Sequence, residues 1–177
     1  MGRVANLVVV RIAVAIAILS FAIGSLFAWS LAAERNASES LAIIVNVSNT
    51  LDSVSQDELR RIFLGERSHW ANGRRITLVM MEPGRPERKA LLHDVCQMNE
   101  TDYSHRILHG LFTGELFVSP KTLASPMGVR KFVFNVPGAI GYVRAVDVDE
   151  TVKVLRVDGR LPEAKDYPLH IEQRTMK

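Results

Sequence analysis

The first chemistry that the sequence suggests is anion binding by arginine. Arg85 and Arg88 lie on either side of a proline in the segment 82–88, where a helix is predicted to begin. A cation at the start of a helix is disfavoured by the helix dipole unless an anion compensates it. Guanidinium groups can clamp an oxyanion through several donors at once. The alternative is that these side chains are exposed and pair with Glu82 or Glu87.

Little in the sequence points to catalysis or to metal binding. The Gly-x-Ser-x-Gly elbow, the His-Glu-x-x-His zinc motif and the glycine-rich phosphate loop with its lysine are all absent. His105 and His109 are four residues apart on a predicted helix and could share a metal, but ordinary surface histidines are the favoured explanation. Cys96 is expected to be a buried, inert thiol. We therefore expect no enzyme, no cofactor and no metal site.

The charge balance argues against a nucleic-acid partner. The 177 residues include 22 basic and 19 acidic side chains, a formal charge of +3. Residues 1–33 hold two of the basic residues, Arg3 and Arg11, and no acidic one, which leaves 20 against 19 in the remainder. A net charge of +1 is too small for a protein that binds the phosphate backbone.

Residues 1–33 have the pattern of an export signal. Arg3 and Arg11 precede an apolar stretch at 12–29, and Ser30 and Ala32 place small residues at the −3 and −1 positions of a cut after Ala32. The segment is a signal peptide or, if retained, an N-terminal membrane anchor, since its apolar length is near the minimum for a bilayer span. In a diderm bacterium the domain would be periplasmic, with residues 34–40 as a linker.

The remainder alternates between strand and helix patterns, which predicts an α/β domain at 41–157 with a mostly parallel sheet flanked by helices. The first strand is apolar throughout, as in parallel sheets covered on both faces. Residues 158–177 are expected to form a surface tail. The predicted strands are 41–47, 76–81, 139–143 and 152–157; the predicted helices follow Ser55, cover 87–99, follow Thr101 to about Gly110, and run from Ser125 to 136.

Two loops are therefore candidates for a binding site. In such sheets ligands bind outside the carboxyl ends of strands, where helix starts offer unpaired amides. The loop 46–55 follows the first strand and the loop 82–87 follows the second. The candidate ligand-binding residues in these loops are Ser48, Asn49, Thr50, Gly84, Arg85 and Arg88.

Three motifs carry a resemblance to a known family. Leu-Arg-Arg-Ile-Phe-Leu-Gly at 59–65, Trp-Ala-Asn-Gly at 70–73 and Pro-Gly-Ala-Ile-Gly-Tyr-Val at 137–143 resemble the substrate-binding proteins of phosphate ABC transporters, especially their short single-domain members. The resemblance covers about residues 41–157. It implies one lobe of a type II periplasmic binding protein that recognises phosphate or a similar oxyanion for uptake or sensing, with other chains supplying the transporter's membrane components.

The segment 81–88 departs from the family pattern. The family carries a Ser-Gly-Thr whose groups donate to phosphate at a helix start, and this chain lacks it. Gly84 matches the small-residue loop, Arg85 stands where short members often have a serine, and Arg88 falls on an arginine that they often carry. The alternative function is an envelope protein-interaction module that has lost anion binding.

Cleavage of the leader gives a direct test of export. We expect the exported chain to begin at Ala33, because the small residues before that bond fit a signal-peptidase site. Intact-mass spectrometry of the exported protein measures this. Recovery of a chain that begins at Met1 or Gly2 would show that the segment is retained as an anchor.

Overall fold

The computed structural model describes residues 40–116 and 119–171. The predicted leader at 1–33 and nearly all of the predicted linker lie outside the described residues. Within the described ranges, no helix combines the length and the apolarity needed to cross a bilayer.

Strands and short helices alternate along the described chain. The strands are β1 (Leu41–Asn46), β2 (Ser53–Val54), β3 (Thr77–Met81), β4 (Lys121–Leu123), β5 (Ala139–Arg144), β6 (Val152–Val154) and β7 (Arg156–Val157). The α-helices are α1 (Gln56–Phe63), α2 (Pro86–Ala90), α3 (Glu100–Thr113) and α4 (Pro126–Asn135). A π-helical segment, Leu91–Cys96, continues α2, and a 3₁₀ turn, Ala145–Asp147, follows β5.

Five strands form a mixed sheet in the order β4-β3-β5-β1-β6. β3 is parallel to β4 and β5, whereas β1 is antiparallel to both of its neighbours, β5 and β6. Four of the five strands therefore point the same way, and the predicted α/β fold with a mostly parallel sheet is confirmed. The prediction that the first strand is of the parallel type is wrong. An apolar sequence throughout a strand indicates that both faces of the strand are covered. It does not determine whether the strand is parallel or antiparallel to its neighbours.

Helices cover both faces of this sheet. Val129 and Val133 of α4 lie against Gly141 of β5, where a β-carbon would approach Val129 to 2.9 Å, so the helix needs a glycine there. The next residue, Tyr142, points to the other face because side chains alternate along a strand. There its ring packs edge-on against Phe63 of α1, with ring centroids 6.0 Å apart.

The serine caps predicted from the sequence are present. The Ser55 hydroxyl accepts from the Glu58 amide at 3.1 Å, and the Ser125 hydroxyl accepts from the Gly128 amide at 3.1 Å. The apolar stripe of α1 is buried as expected. These features depend on residues within one turn of each other, which is why local sequence predicts them.

The helix predicted at 87–99 is interrupted. After α2 the backbone widens into the π-helical segment and ends at Gln97, which has a left-handed φ of 54°. Asn99, rather than Thr101, caps α3 by accepting from the Asp102 amide at 2.9 Å. Carbonyls of the π-helical segment accept from α1, where Gln56 Nε2 donates to the Asp94 carbonyl at 2.7 Å. This distant partner explains why local sequence did not predict the interruption.

The segment after β7 packs on the core, so the prediction of a surface tail is wrong for its described part. Tyr167, Leu169 and Ile171 are buried. The Tyr167 hydroxyl donates to the Leu41 carbonyl at 2.9 Å, and the Leu41 amide donates to the Leu169 carbonyl at 3.1 Å. The chain beyond the β-strands thus covers the start of β1.

Leu169 should be important for stability. Its side chain is fully buried, and Leu169→Ala should lower the free energy of unfolding by about 2–5 kcal/mol through lost burial and a residual cavity. Urea unfolding measures the change. The control, Lys165→Ala at an exposed position of the same segment, should stay within about 0.5 kcal/mol of the unmodified chain. Equal stability of both variants would contradict the packing of this segment.

The buried cysteine and tyrosine side chains of the core should make the protein less stable at alkaline pH. Burial raises the pKa of Cys96 to about 12 and raises the pKa of three buried tyrosines above their usual range, namely Tyr103, Tyr142 and Tyr167. An unfolded thiol loses its proton near pH 8.5. Above that pH the unfolded state binds fewer protons than the folded state, so the free energy of unfolding falls as pH rises.

Urea unfolding between about pH 8 and 10 tests this contribution, because the thiol titrates in the unfolded chain before the tyrosines do. Cys96→Ala should show a shallower decline than the unmodified chain. Identical slopes for the two proteins would rule out the buried thiol as a cause.

Candidate functional site

The two predicted binding loops lie at opposite edges of the sheet. The register pairs Leu41 with Arg144 and Val45 with Ile140, so β1 ends where β5 begins. The loop after β1 therefore lies at the amino ends of β3 and β5, whereas the loop after β3 lies at their carboxyl ends. Six strand residues separate the edges by about 16–20 Å. The structure does not bring the two halves of the predicted site together, because β1 runs against its neighbours.

In the first loop, the Ser48 and Asn49 side chains form hydrogen bonds with neighbouring residues of the chain. The Ser48 amide and hydroxyl donate to Asn46 Oδ1 at 2.9 and 2.7 Å, and Asn49 Oδ1 accepts from the Leu51 amide at 2.9 Å. The Asn46 side chain also donates to the Val133 carbonyl near the end of α4 at 2.9 Å. Thr50 is exposed. The Ser48 and Asn49 side chains thus already have partners that hold the loop in shape.

The second loop is more open. Gly84 has a φ of +88°, and no atom of a residue other than itself and its two chain neighbours lies within 4 Å of where a β-carbon would be. Arg85 occupies the cap position of α2, and its side chain makes no capping hydrogen bond to that helix. The α-helical part has five residues, so its dipole contributes little to anion binding. Anion binding at this edge would therefore depend on the arginine side chains.

Arg85 and Arg144 meet at a buried carboxylate. The Glu87 side chain is 2% exposed, and its Oε1 accepts from Arg144 Nε at 2.6 Å. Its Oε2 lies 3.6 Å from Arg85 Nε, beyond hydrogen-bond distance, and both atoms are buried without a hydrogen bond. We call these three residues the Arg85–Glu87–Arg144 cluster. It places two guanidiniums around one negative charge at the carboxyl edge of the sheet.

Sequence reasoning missed Arg144 and the burial of Glu87. Arg144 is the last residue of β5, and a basic residue at the carboxyl end of a predicted strand was the signal that could have identified it. Glu87 was considered as a partner of exposed arginine side chains, and its own burial was not predicted. Its burial depends on β5 lying beside β3, which no local pattern reveals.

Arg88, the remaining predicted residue, has a different set of contacts. Its Nε and Nη2 donate to the two carboxylate oxygens of Glu100 at 2.8 and 2.6 Å, and its Nη1 donates to the Met81 carbonyl at 2.7 Å. The guanidinium also lies 5.8 Å from the centre of the Tyr103 ring. At 6% exposure, this arginine ties α2 to β3 and α3, and a ligand would have to break those contacts to reach it.

Other candidate groups lie away from the cluster. Cys96 is buried, as expected. His105 and His109 are exposed on α3, and within residues 40–116 and 119–171 no three His, Cys, Asp or Glu side chains are placed to hold a metal ion. A cavity of about 230 Å³ between α3 and β4 has mainly apolar walls, including Met80, Ile107 and Leu108.

Comparison of the sequence and of the structure with known proteins finds similarity to the same group of proteins. No protein-family model matches the chain. The phosphate-binding protein PstS of Bacillus subtilis (strain 168) is 29% identical over 145 residues, which cover 76% of this chain and 43% of that protein. The chain thus spans less than half the length of this curated relative.

Solved structures show the same fold. A putative phosphate ABC transporter substrate-binding protein with bound phosphate from Clostridium perfringens superposes with a TM-score of 0.61 at 19% identity, over 78% of this chain and 58% of that one. An ABC-type phosphate transport receptor from Vibrio cholerae gives 0.57 at 19% identity, over 70% and 48%. The resemblance predicted from the three motifs is confirmed: this chain is similar to the phosphate-binding proteins of ABC transporters and has their periplasmic-binding-protein-like fold over the part that it matches.

Proposed function

We propose that this chain is an exported, non-enzymatic solute-binding protein that recognises phosphate or a similar small oxyanion for uptake or sensing. It would act in the periplasm, with the membrane components of a transporter or other envelope proteins as partners. The similarity to PstS of Bacillus subtilis supports the solute-binding role. The related structure from Clostridium perfringens is described with bound phosphate, which supports the ligand class.

The observation that carries the proposal is the convergence of Arg85 and Arg144 at the carboxyl edge of the sheet. Arg85 is 41% exposed and lies beside the open space at Gly84, so an anion from solution can reach it. Arg144 contacts the other carboxylate oxygen of Glu87, with Nε 2.6 Å from Oε1. We place the site at Gly84 and Arg85, and leave Ser48, Asn49 and Thr50 outside it because they lie at the other edge.

Binding at this site should be weak. At 4 Å, two unit charges attract by about 1 kcal/mol in bulk water and by about 4 kcal/mol at the effective dielectric of a partly buried site. The described domain corresponds to about half of its relatives, and one side of the site faces solvent. A second copy or a partner that covers this edge would strengthen the attraction by excluding water.

A second candidate function is the protein-interaction module, in which anion binding has been lost. The Glu87 carboxylate favours it, because this side chain already supplies Arg144 with an anionic partner at 2.6 Å. In that case the carboxyl edge would recognise a protein surface rather than a small solute.

Ligand-induced stabilisation separates the two functions. At a phosphate concentration about one hundred times its dissociation constant, the domain should gain about 2.7 kcal/mol of stability. A thermal-shift titration with phosphate and sulfate at constant ionic strength measures this. Arg85→Gln should abolish the gain in stability. The control is Arg106→Gln, which removes an exposed arginine of α3 that pairs with Glu66, and it should retain the gain.

A flat response to both anions in the folded, unmodified chain would contradict solute binding. Recovery of a specific envelope partner whose binding is lost in Arg85→Gln would then support the interaction module.

A further inference from the structure

An exposed aromatic ring on α3 lies one helical turn from a cavity. Phe112 is 84% exposed, against 50–57% for the other exposed large apolar side chains of the described residues. Leu108, four residues earlier, is also exposed. Residues four apart lie on the same face of a helix, so these two side chains form one apolar strip. Covering this strip with a partner would be favourable, because it removes apolar area from water.

The cavity beside this strip has room for an aromatic ring. Its volume is about 230 Å³, and a cavity of about 150 Å³ is enough to hold benzene. Residues of α3 and β3 form much of its wall, namely Ser104, Ile107, Leu108, Leu111 and Met80. Leu108 therefore belongs both to the exposed strip and to the wall of the cavity.

The cavity is better suited to an apolar group than to an anion. Of the described residues that line it, only Arg88 is charged. The Nε and Nη2 atoms of Arg88 donate to the Glu100 carboxylate, and its Nη1 donates to the Met81 carbonyl. An anion in the cavity would have to compete with these contacts, whereas an apolar ring would leave them in place.

We propose that two copies of this chain form a dimer in which the α3 helices pack antiparallel and each Phe112 ring enters the cavity of the other copy. In an interface with two-fold symmetry, each contact between two residues occurs twice. When the helices cross at Leu108, residues equally far from it in opposite directions face each other. Phe112 of one copy then lies against Ser104 of the other, and Ser104 lines the cavity. The ring and the cavity are thus spaced correctly for mutual insertion.

The charges of α3 are compatible with this packing. Between positions 104 and 112 the permanently charged residue is Arg106, and it pairs with Glu66 of the same copy at 2.7 Å. A crossing at Leu108 places each of the two histidines in this stretch opposite an apolar residue of the other copy. The centre of the contact is therefore poor in charge, as the cores of protein interfaces usually are.

The oligomeric state of the full chain tests the proposal. Sedimentation equilibrium at protein concentrations from about 1 μM to about 1 mM should show a monomer–dimer equilibrium. Phe112→Ala should raise the dissociation constant at least about a hundredfold, because each dimer loses two aromatic anchors. Ser104→Trp, which fills the cavity from its wall, should have a similar effect. The matched control is Phe134→Ala on α4, where the ring is also exposed, and it should leave the dissociation constant unchanged.

The three substituted positions are exposed, so the variants should keep the fold of the unmodified chain, which circular dichroism checks. They also leave Gly84 and Arg85 unchanged. Phosphate binding by the same variants therefore reports on the proposed function separately from dimer formation.

Cross-linking tests where the two copies meet. Because the symmetry axis passes Leu108, a cysteine at this position should lie beside the same cysteine of the other copy. Leu108→Cys should form a covalent dimer with a short bis-maleimide reagent. Phe134→Cys, at a position of similar exposure, should not. The natural Cys96 is buried and should not react in the folded chain.

A chain that is monomeric at every concentration would overturn the proposal. An equally stable dimer of Phe112→Ala would also overturn it, since association would then use another surface, such as the predicted leader that every variant carries. Loss of the dimer in Phe112→Ala but not in Ser104→Trp would show that the ring binds outside the cavity, contrary to the proposed packing. Stabilisation of a strictly monomeric chain by toluene would instead assign the cavity to a small apolar ligand.

Discussion

The direction of β1 determines which loops lie together at each edge of the sheet. The strand lies between β5 and β6 and is antiparallel to both, while the other strands of the sheet share one direction. A strand that runs the opposite way delivers its following loop to the opposite edge. The carboxyl edge is therefore formed by the segments that follow β3, β4 and β5, and the chain after β1 forms part of the other edge.

Two partly buried ion pairs hold the chain at the carboxyl edge. Glu87 pairs with Arg144 at the end of β5, and its neighbour Arg88 pairs with Glu100 at the start of α3. Each pair has one buried member, and removal of its partner would leave that buried charge uncompensated, whereas the intact pair adds little net stability over a well-packed apolar alternative. Here the pairs fix α2 against β5 on one side and against α3 on the other. Their effect is to specify where the loop 82–87 lies.

The α/β scaffold is shared with the similar solved structures, and side chains of this chain set the charge at its carboxyl edge. At this edge two arginines, Arg85 and Arg144, lie beside one carboxylate of the same chain, that of Glu87. The electrostatic character of the edge is thus set by side chains from β5 and α2 rather than by backbone amides alone.

Local sequence determined the parts of the structure whose interactions span a few residues. The serine caps of α1 and α4 and the buried stripe of α1 follow from periodicity and from amides within one turn. The alternation of strand and helix was enough to predict the fold class, and three motifs were enough to indicate the relationship to phosphate-binding proteins.

Contacts between distant segments decided the remainder. The direction of β1, the π-helical segment after α2 and the burial of Tyr167 and Leu169 each depend on a partner far away in the chain. The site depends on such partners as well, since the buried Glu87 carboxylate pairs with Arg144, 57 residues later in the chain. A sequence pattern records which side chains are apolar or charged, but the partner of a buried charge depends on how the strands are ordered in the sheet.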